Sequence, residues 1–314
     1  MPSLKFLARR LCDRAFGTEF DRAITRARGD SRRAFLFYWN RGLGDIALGL
    51  VPLFLRVRNE FAQSRIEVIT REELRPAFEL AGVDAVHVVD GLARESRIDL
   101  AAAAPELGIE LASFAATFGY PDPNRWLEGR RHEFPPVLAW NAGWDGLVDR
   151  FPEIAANRIV IGAHVNSETA GYYGYVKDWP AESWRALIAS HEDDPRVQWL
   201  LFGNSAEPAM DGANVIDLRG RTTFAELMAI VRTRCRILVA PDSGVLTMAY
   251  YLDATFPLEV LSLWSDPRQG ILLQDCPSPN GKLNHVALRG PGEDVRRLRV
   301  EDVERALCEA IART

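Results

Sequence analysis

Asp45, Lys177, Glu207 and Asp242 each lie in a polar loop behind an apolar run, the loop of Lys177 being a long one. In an open α/β sheet such loops, beyond the carboxyl ends of the strands, are where ligands sit. Two of the loops are rich in glycine. Asn40-Arg41-Gly42-Leu43-Gly44-Asp45 follows the run Ala34–Trp39, and Pro241-Asp242-Ser243-Gly244-Val245-Leu246-Thr247 follows Arg236–Ala240, about two hundred residues later. Glycine lets the backbone approach a ligand closely, and a helix N-terminus offers free N–H groups to anionic oxygens. Lys177 precedes Trp179-Pro180 at a helix start, placed to reach a phosphate; a solvated surface lysine is the plain alternative. Glu207 closes Gly203-Asn204-Ser205-Ala206-Glu207, where a carboxylate can accept from ribose hydroxyls. Asp45 and Asp242 also suit helix capping, and Thr223 with Glu226 fits a capping box.

Strand and helix signals alternate from Ala34 onward, the pattern of parallel sheets with crossover helices that would position these residues. The first half predicts strands over 34–39, 66–70, 85–89 and 137–140, with helices over 46–61, 72–81 and 101–118. The second half predicts strands over 158–163, 197–202, 214–218, 236–240, 258–263 and 285–288, and helices over 184–190, 224–232, 246–252 and 300–313. A chain of 314 residues exceeds one ordinary core, and the pattern restarts near Phe151-Pro152-Glu153-Ile154. The expected organisation is a helical extension over 1–33, a Rossmann-like domain over 34–153 and a second over 154–314. In the extension, Leu4, Phe6, Leu7, Leu11, Phe16, Phe20 and Ile24 recur at near-helical spacing among arginines. Packing on the first domain is the favoured reading. Contact with anionic lipid is the second, since Asp13, Glu19 and Asp21 dilute the basic face.

The order of the loops resembles the ADP-heptose:lipopolysaccharide heptosyltransferases, a glycosyltransferase family of inverting enzymes (family 9). The elements carrying the resemblance are Gly44-Asp45, His164 at a strand end, Lys177-Asp178-Trp179-Pro180 and Gly203 to Glu207. Leu218-Arg219-Gly220-Arg221-Thr222 and Asp242-Ser243-Gly244 complete the series, which spans roughly residues 34–270. The resemblance implies an α/β GT-B fold, two Rossmann-like domains facing a central cleft, with the acceptor on the first and a nucleotide-sugar donor on the second. It assigns the catalytic base to Asp45, in the loop of Gly42 and Gly44. Donor binding falls to Asn166, Ser167, Lys177, Glu207, Arg221, Thr222, Asp242, Ser243, Gly244 and Thr247. Four departures lie on the donor side. Thr247 stands where the family usually has His and Val165 where it has Pro; the 164–177 stretch is longer, and Leu263-Trp264-Ser265-Asp266-Pro267-Arg268 replaces an aromatic-Gly-Pro segment.

Such a transfer needs a base for the acceptor hydroxyl and cationic or N–H partners for the departing diphosphate. Lys177 and the loop at Ser243 and Gly244 can supply the latter without a metal. Asp193-Asp194 reads as a solvated turn, and Cys12, Cys235, Cys276 and Cys308 as reduced thiols with no metal-ligand spacing. No cofactor or metal is expected. The expected function is transfer of a sugar, a heptose by resemblance, from an ADP-heptose-like donor to a sugar or glycolipid acceptor of lipopolysaccharide type. A GT-B sugar-nucleotide epimerase and a non-catalytic nucleotide-sugar-binding protein are the alternatives. A net charge of −5 gives no footprint for nucleic acid, and no apolar run is long enough to cross a membrane. The expected location is the cytoplasm, with peripheral contact at the inner membrane face as the further reading. Arg41, Arg71, Arg125, Arg130 and Arg131 could meet an anionic acceptor, with surface solvation the default.

Overall fold

A computed structural model describes residues 12–13, 15–167 and 174–314. The expectations for Leu4, Phe6, Leu7 and Leu11 therefore lie outside the described residues. The chain divides into two units: residues up to Arg41 with Asp45–Pro136, and Gly42–Gly44 with Val137–Thr314.

In the first unit, helix α1 (Glu19–Ala27) precedes strand β1 (Ala34–Tyr38). A π-helical turn (Ile46–Leu50) runs into α2 (Val51–Glu60), followed by β2 (Arg65–Thr70), α3 (Arg75–Leu80), β3 (Ala85–Val88), α4 (Leu100–Glu106), β4 (Phe114–Phe118) and α5 (Pro123–Trp126). The strands form one parallel sheet in the order β3-β2-β1-β4. Strand β1 reads Ala-Phe-Leu-Phe-Tyr and is buried throughout, as a central strand covered on both faces should be. Alternation sends Ala34, Leu36 and Tyr38 to a core with Ile69, Ala104, Ile109 and Phe114. Phe37 meets Phe54 and Phe118 at centroid distances of 5.0 and 4.5 Å. Helix α1 is held by a capping box at Thr18 and Asp21 and buries Phe20, which stacks on Trp126 at 5.6 Å. That favours the packing reading for this helix.

The sequence pattern fails at residues 101–118, expected as one helix. Helix α4 ends at Glu106 and β4 begins at Phe114. The cause is a coincidence of periods. Leu107, Leu111, Phe114 and Phe118 are spaced four, three and four apart, which imitates a helix face. Gly108, at φ +69°, turns the chain out of the helix, and Phe114 and Phe118 pair with Ala34 and Phe37.

The second unit carries β5 (Leu138–Ala139), β6 (Ile159–His164), α6 (Ala181–Ala189), β7 (Val197–Phe202) and β8 (Val215–Asp217). It continues with α7 (Phe224–Thr233), β9 (Cys235–Pro241), α8 (Gly244–Tyr250), β10 (Leu252–Asp253), β11 (Leu258–Trp264), α9 (Gly270–Gln274), β12 (Leu283–Arg289) and α10 (Val300–Arg313). Six strands form a parallel sheet ordered β12-β11-β9-β6-β7-β8, while β5 pairs with β10. The order reverses between β6 and β9, so the carboxyl ends of those two strands flank the switch point where such sheets bind ligands. One face of the sheet packs on Trp179, Trp184 and Leu187 beside α6, and on Val303, Leu307 and Ala310 of α10.

Candidate functional site

At the switch point, β6 ends in His164-Val165-Asn166-Ser167 and β9 in Pro241-Asp242-Ser243. The two edges are joined by one ion pair: Lys177 Nζ donates to Asp242 Oδ2 at 2.6 Å, with side chains only 16% and 10% exposed. Asp242 is thus the partner of Lys177, and Ser243 is the cap of α8, its Oγ accepting from the Leu246 N–H at 3.2 Å. An ammonium has three donors, so Lys177 keeps donors beyond the one given to Asp242. The Tyr175 ring centroid lies 5.5 Å from Nζ.

Why the lysine sits there follows from the two residues after it. Asp178 Oδ1 accepts from the Ser167 N–H at 2.6 Å, closing the base of the loop. Burial pushes the Asp178 carboxyl above its ordinary range, against the pull of that N–H and of Lys177. Trp179 is sunk in the core, edge-on to Trp184 at 5.2 Å, and its indole N–H donates to the Leu298 carbonyl at 2.9 Å. The Lys-Asp-Trp sequence is therefore a charged head on a hydrogen-bonded neck and an aromatic anchor.

The loop after β7 joins the same network. Gly203 has φ +148°, and a Cβ there would lie 2.8 Å from Asn166 Oδ1, so only glycine fits beside Asn166. Asn166 Nδ2 approaches the Glu207 carbonyl at 3.4 Å, while the Glu207 side chain is exposed. Arg219, whose side chain is fully buried, grips both oxygens of Asp217 and donates to the Pro208 carbonyl at 2.8 Å. Its rigid fork ties β8 to this loop. Arg221 turns elsewhere, donating to Glu153 at 2.8 Å and to the Asp217 carbonyl. Thr222 precedes the observed capping box of Thr223 and Glu226. No described bond joins Arg221 or Thr222 to the network of Lys177, Asp242 and Asn166.

Thr247 is buried, and its hydroxyl donates to the Ser243 carbonyl at 3.0 Å. A Cβ on Gly44 would come within 3.3 Å of both Thr247 Oγ1 and Gly244 Cα, and one on Gly244 would lie 2.8 Å from Leu43 Cβ. The two glycine loops thus meet backbone to backbone. Asp45 follows Gly44 in helical geometry at the start of the π-turn, is exposed, and makes no side-chain capping bond. The helix-capping account of Asp45 is not the one observed.

The burial and bonding of four features go beyond the sequence. His164 is buried with Nδ1 unpartnered among the described residues, and desolvation holds its pKa down to about 4, so the ring is neutral at pH 7. Asp178 and Arg219 act as struts. Trp264 donates to Ser262 Oγ at 2.6 Å, and that hydroxyl bonds His285 Nε2 at 2.6 Å. Gly270, at φ +53°, lets the chain pass Asp242 and Trp264, since a Cβ would fall 2.5 Å from Asp242 Oδ1. The strand-end position of His164 and the motifs Asp-x-Arg and Lys-Asp-Trp-Pro gave a local signal; the Trp264 bond and the Gly270 approach had none. Among the described residues no group of three or more His, Cys, Asp or Glu is arranged to hold a metal.

Residues 144–256 match the family model of glycosyltransferase family 9 (heptosyltransferase). No curated protein matches the sequence. Solved structures do. Family 9 glycosyl transferase of Veillonella parvula superposes with a TM-score of 0.63 at 15% identity, covering 90% of this chain and 98% of that one. E. coli ADP-heptose lps heptosyltransferase II gives 0.59 at 16%, covering 89% and 99%. E. coli heptosyltransferase WaaC with ADP gives 0.53 at 16%, covering 88% and 99%. The fold is α/β of the GT-B kind, and the class of protein defined by fold and matched domain is a glycosyltransferase. Within that class, residues 144–256 are similar to family 9.

Proposed function

We propose that this enzyme transfers a sugar, with a heptose as first candidate, from an ADP-sugar to a hydroxyl of a sugar or glycolipid acceptor of lipopolysaccharide type, with inversion. The first domain takes the acceptor and the second the donor. The acceptor oxygen attacks the anomeric carbon as its proton passes to the Asp45 carboxylate, and the bond from that carbon to the diphosphate breaks. The nucleoside diphosphate leaves with the electron pair. Lys177 and the N–H groups at Ser243 and Gly244 neutralise the charge that develops on it. Glu207 receives the ribose hydroxyls; Asn166, Ser167 and Thr247 line the donor, with Arg221 and Thr222 toward its base or phosphates.

The observation that carries this reading is the Lys177–Asp242 pair at the switch point of the six-stranded sheet. It holds a cation at the position where a diphosphate would lie, which is chemistry that needs no metal. Two similar structures, E. coli ADP-heptose lps heptosyltransferase II and E. coli heptosyltransferase WaaC with ADP, support the choice of nucleotide. We place the enzyme in the cytoplasm, meeting its acceptor at the inner membrane face; among the described residues no helix is long and apolar enough to cross a membrane. The test incubates ADP-heptose with and without a deacylated lipopolysaccharide core. Transfer product only with acceptor, undiminished by a chelator, is the expected result. Isomerised donor without acceptor makes the protein an epimerase. Donor binding with no product under either condition makes it a binding protein.

A further inference from the structure

We infer that the acceptor carries an anionic group on a sugar, a carboxylate or a phosphate, and that Arg41 and Arg97 hold it beside Tyr120. This deepens the proposed function and rests on its assignment of the acceptor to the first domain. The site lies within the first unit. In the order β3-β2-β1-β4 the chain runs outward from β1 to β3 and then places β4 on the other side of β1. The carboxyl ends of β1 and β4 therefore flank a switch point, where such sheets bind ligands. Three loops converge there: Trp39 and Arg41 follow β1, Arg97 lies in the loop after β3, and Tyr120 follows β4. The Arg41 guanidinium lies over the Trp39 ring at 4.0 Å and the Tyr120 ring at 4.8 Å, and it donates to the Pro121 carbonyl. The Arg97 guanidinium lies over the same Tyr120 ring at 4.2 Å. Tyr120 and Arg97 are both exposed, so the cluster opens to solvent.

The backbone beneath this cluster is fixed from the core. Asn40 is buried; its Nδ2 donates to the Ala93 carbonyl at 2.6 Å, and its own carbonyl accepts from the Glu95 N–H at 2.9 Å. The Tyr38 hydroxyl donates to the Ser96 carbonyl at 2.6 Å. These bonds lay residues 93–96 across the end of β1 and hold the segment from which Arg97 projects. Arg71 belongs to the frame, since its Nη1 donates to Asn40 Oδ1 at 2.7 Å and its Nε lies 3.4 Å from Glu73. Other arginines of this unit are engaged elsewhere: Arg125 by Asp13 at 2.8 Å, Arg130 by both oxygens of Glu133, and Arg131 by Asn124 Oδ1 at 2.8 Å. Among the described residues neither Arg41 nor Arg97 has a carboxylate partner. Two like charges over one ring repel each other; the ring face offsets part of that cost, and an anion between them removes it. A guanidinium presents paired N–H groups that match two oxygens of a carboxylate or a phosphate. Asp45 lies beyond the same strand end as Arg41, so a sugar held by its anionic group is oriented toward the loop that carries the base.

The experiment titrates the full chain calorimetrically with a deacylated lipopolysaccharide core, the same core freed of phosphate, and the same core with its carboxylates reduced. Wild type should bind the untreated core and lose roughly tenfold in affinity for one or both treated forms, which identifies the anion. Arg97→Gln should bind the untreated core about as weakly and no longer distinguish it from that treated form, because variant and treatment delete the same contact. Arg97 is exposed, so the variant should melt with wild type. Arg26→Gln removes an equal charge from an exposed position of α1 and should bind as wild type does. Equal affinity of wild type for all three cores overturns the inference. Unchanged affinity in Arg97→Gln does the same, as does an equal loss in Arg26→Gln. With ADP-heptose present, KM for the core should rise in Arg97→Gln while KM for ADP-heptose stays in place. Failure of wild type to transfer heptose to any core overturns the transferase reading instead, and the charge dependence of binding still decides the anion site.

Discussion

Two side chains carry the chemistry proposed here; one substitution separates function from architecture at Asp45, and a pair does so at Lys177. Asp45 makes no capping bond, so Asp45→Asn should leave folding and ADP affinity unchanged while turnover falls 10²–10⁴-fold, the usual range for loss of a general base. Turnover and ADP affinity measured on one preparation decide it; activity within about tenfold of wild type moves the base elsewhere. Lys177 is a different case because it is already engaged. Lys177→Ala removes a diphosphate partner and also leaves Asp242, nearly buried, without its cation. We expect ADP affinity to fall by about 1–3 kcal/mol, the scale of a charge-assisted bond, and stability to fall with it. Lys177→Ala with Asp242→Asn should restore stability without restoring affinity. Calorimetric titration and thermal melts of the three proteins report the two effects separately, and unchanged affinity in Lys177→Ala refutes its role at the diphosphate.

At the level of elements, the loops proposed to take the donor are nailed to the core at few points. Trp179 is one such nail, fixed by packing on Trp184 and by its bond to Leu298. Trp179→Ala should cost about 3–5 kcal/mol of stability, the range for an aromatic truncated in a core. It should also weaken ADP binding more than Trp184→Ala does, because only Trp179 carries Lys177 and Asp178 on its own backbone. Denaturant melts paired with ADP titrations test this, and equal loss of affinity in both variants would sink the anchor argument. Gly244 is a second nail. An alanine there must displace Leu43 and the Gly44 N–H, so Gly244→Ala should lower ADP affinity even where the melt is little changed.

For the molecule as a whole, pH acts through buried imidazoles. His164 and His285 are both held down to about 4 by desolvation, against an ordinary value near 6.5. Between those values the unfolded chain binds protons that the native chain refuses. Their contribution is therefore complete above about pH 6.5 and drains away as pH falls toward 4, of order 3 kcal/mol for the buried His164. Asp30 and Asp194, kept near 2 by bonds from Arg32 and Arg196, add a further loss only below about pH 4. Thermal unfolding from pH 7.5 to 4.5 should show a falling Tm, flattened in His164→Asn. An identical slope in wild type and variant contradicts the assignment. Saturation with ADP at a hundredfold over its Kd should raise stability by about 2.7 kcal/mol at every pH where it binds.

The alternation of apolar runs with helical patterns was enough, by itself, to read two parallel α/β sheets, since strand burial and loop glycines leave local marks. It also located His164, Asp242 and Asp45 at or just beyond strand ends, and Lys177 before a helix start. Local marks deceived over 101–118, where Leu107, Leu111, Phe114 and Phe118 share a helical period and only pairing of Phe114–Phe118 with β1 reveals a strand. The sequence could offer Lys177 as a phosphate ligand or a solvated lysine and Asp242 as a cap; that they are each other's partner, 65 residues apart, is a fact of tertiary structure alone. The same holds for Arg221, drawn to Glu153, and for Arg131, bonded to Asn124. Backbone geometry and apolar periodicity are written within a few neighbouring residues, whereas the partner of a charge is set by which strand ends the fold brings together.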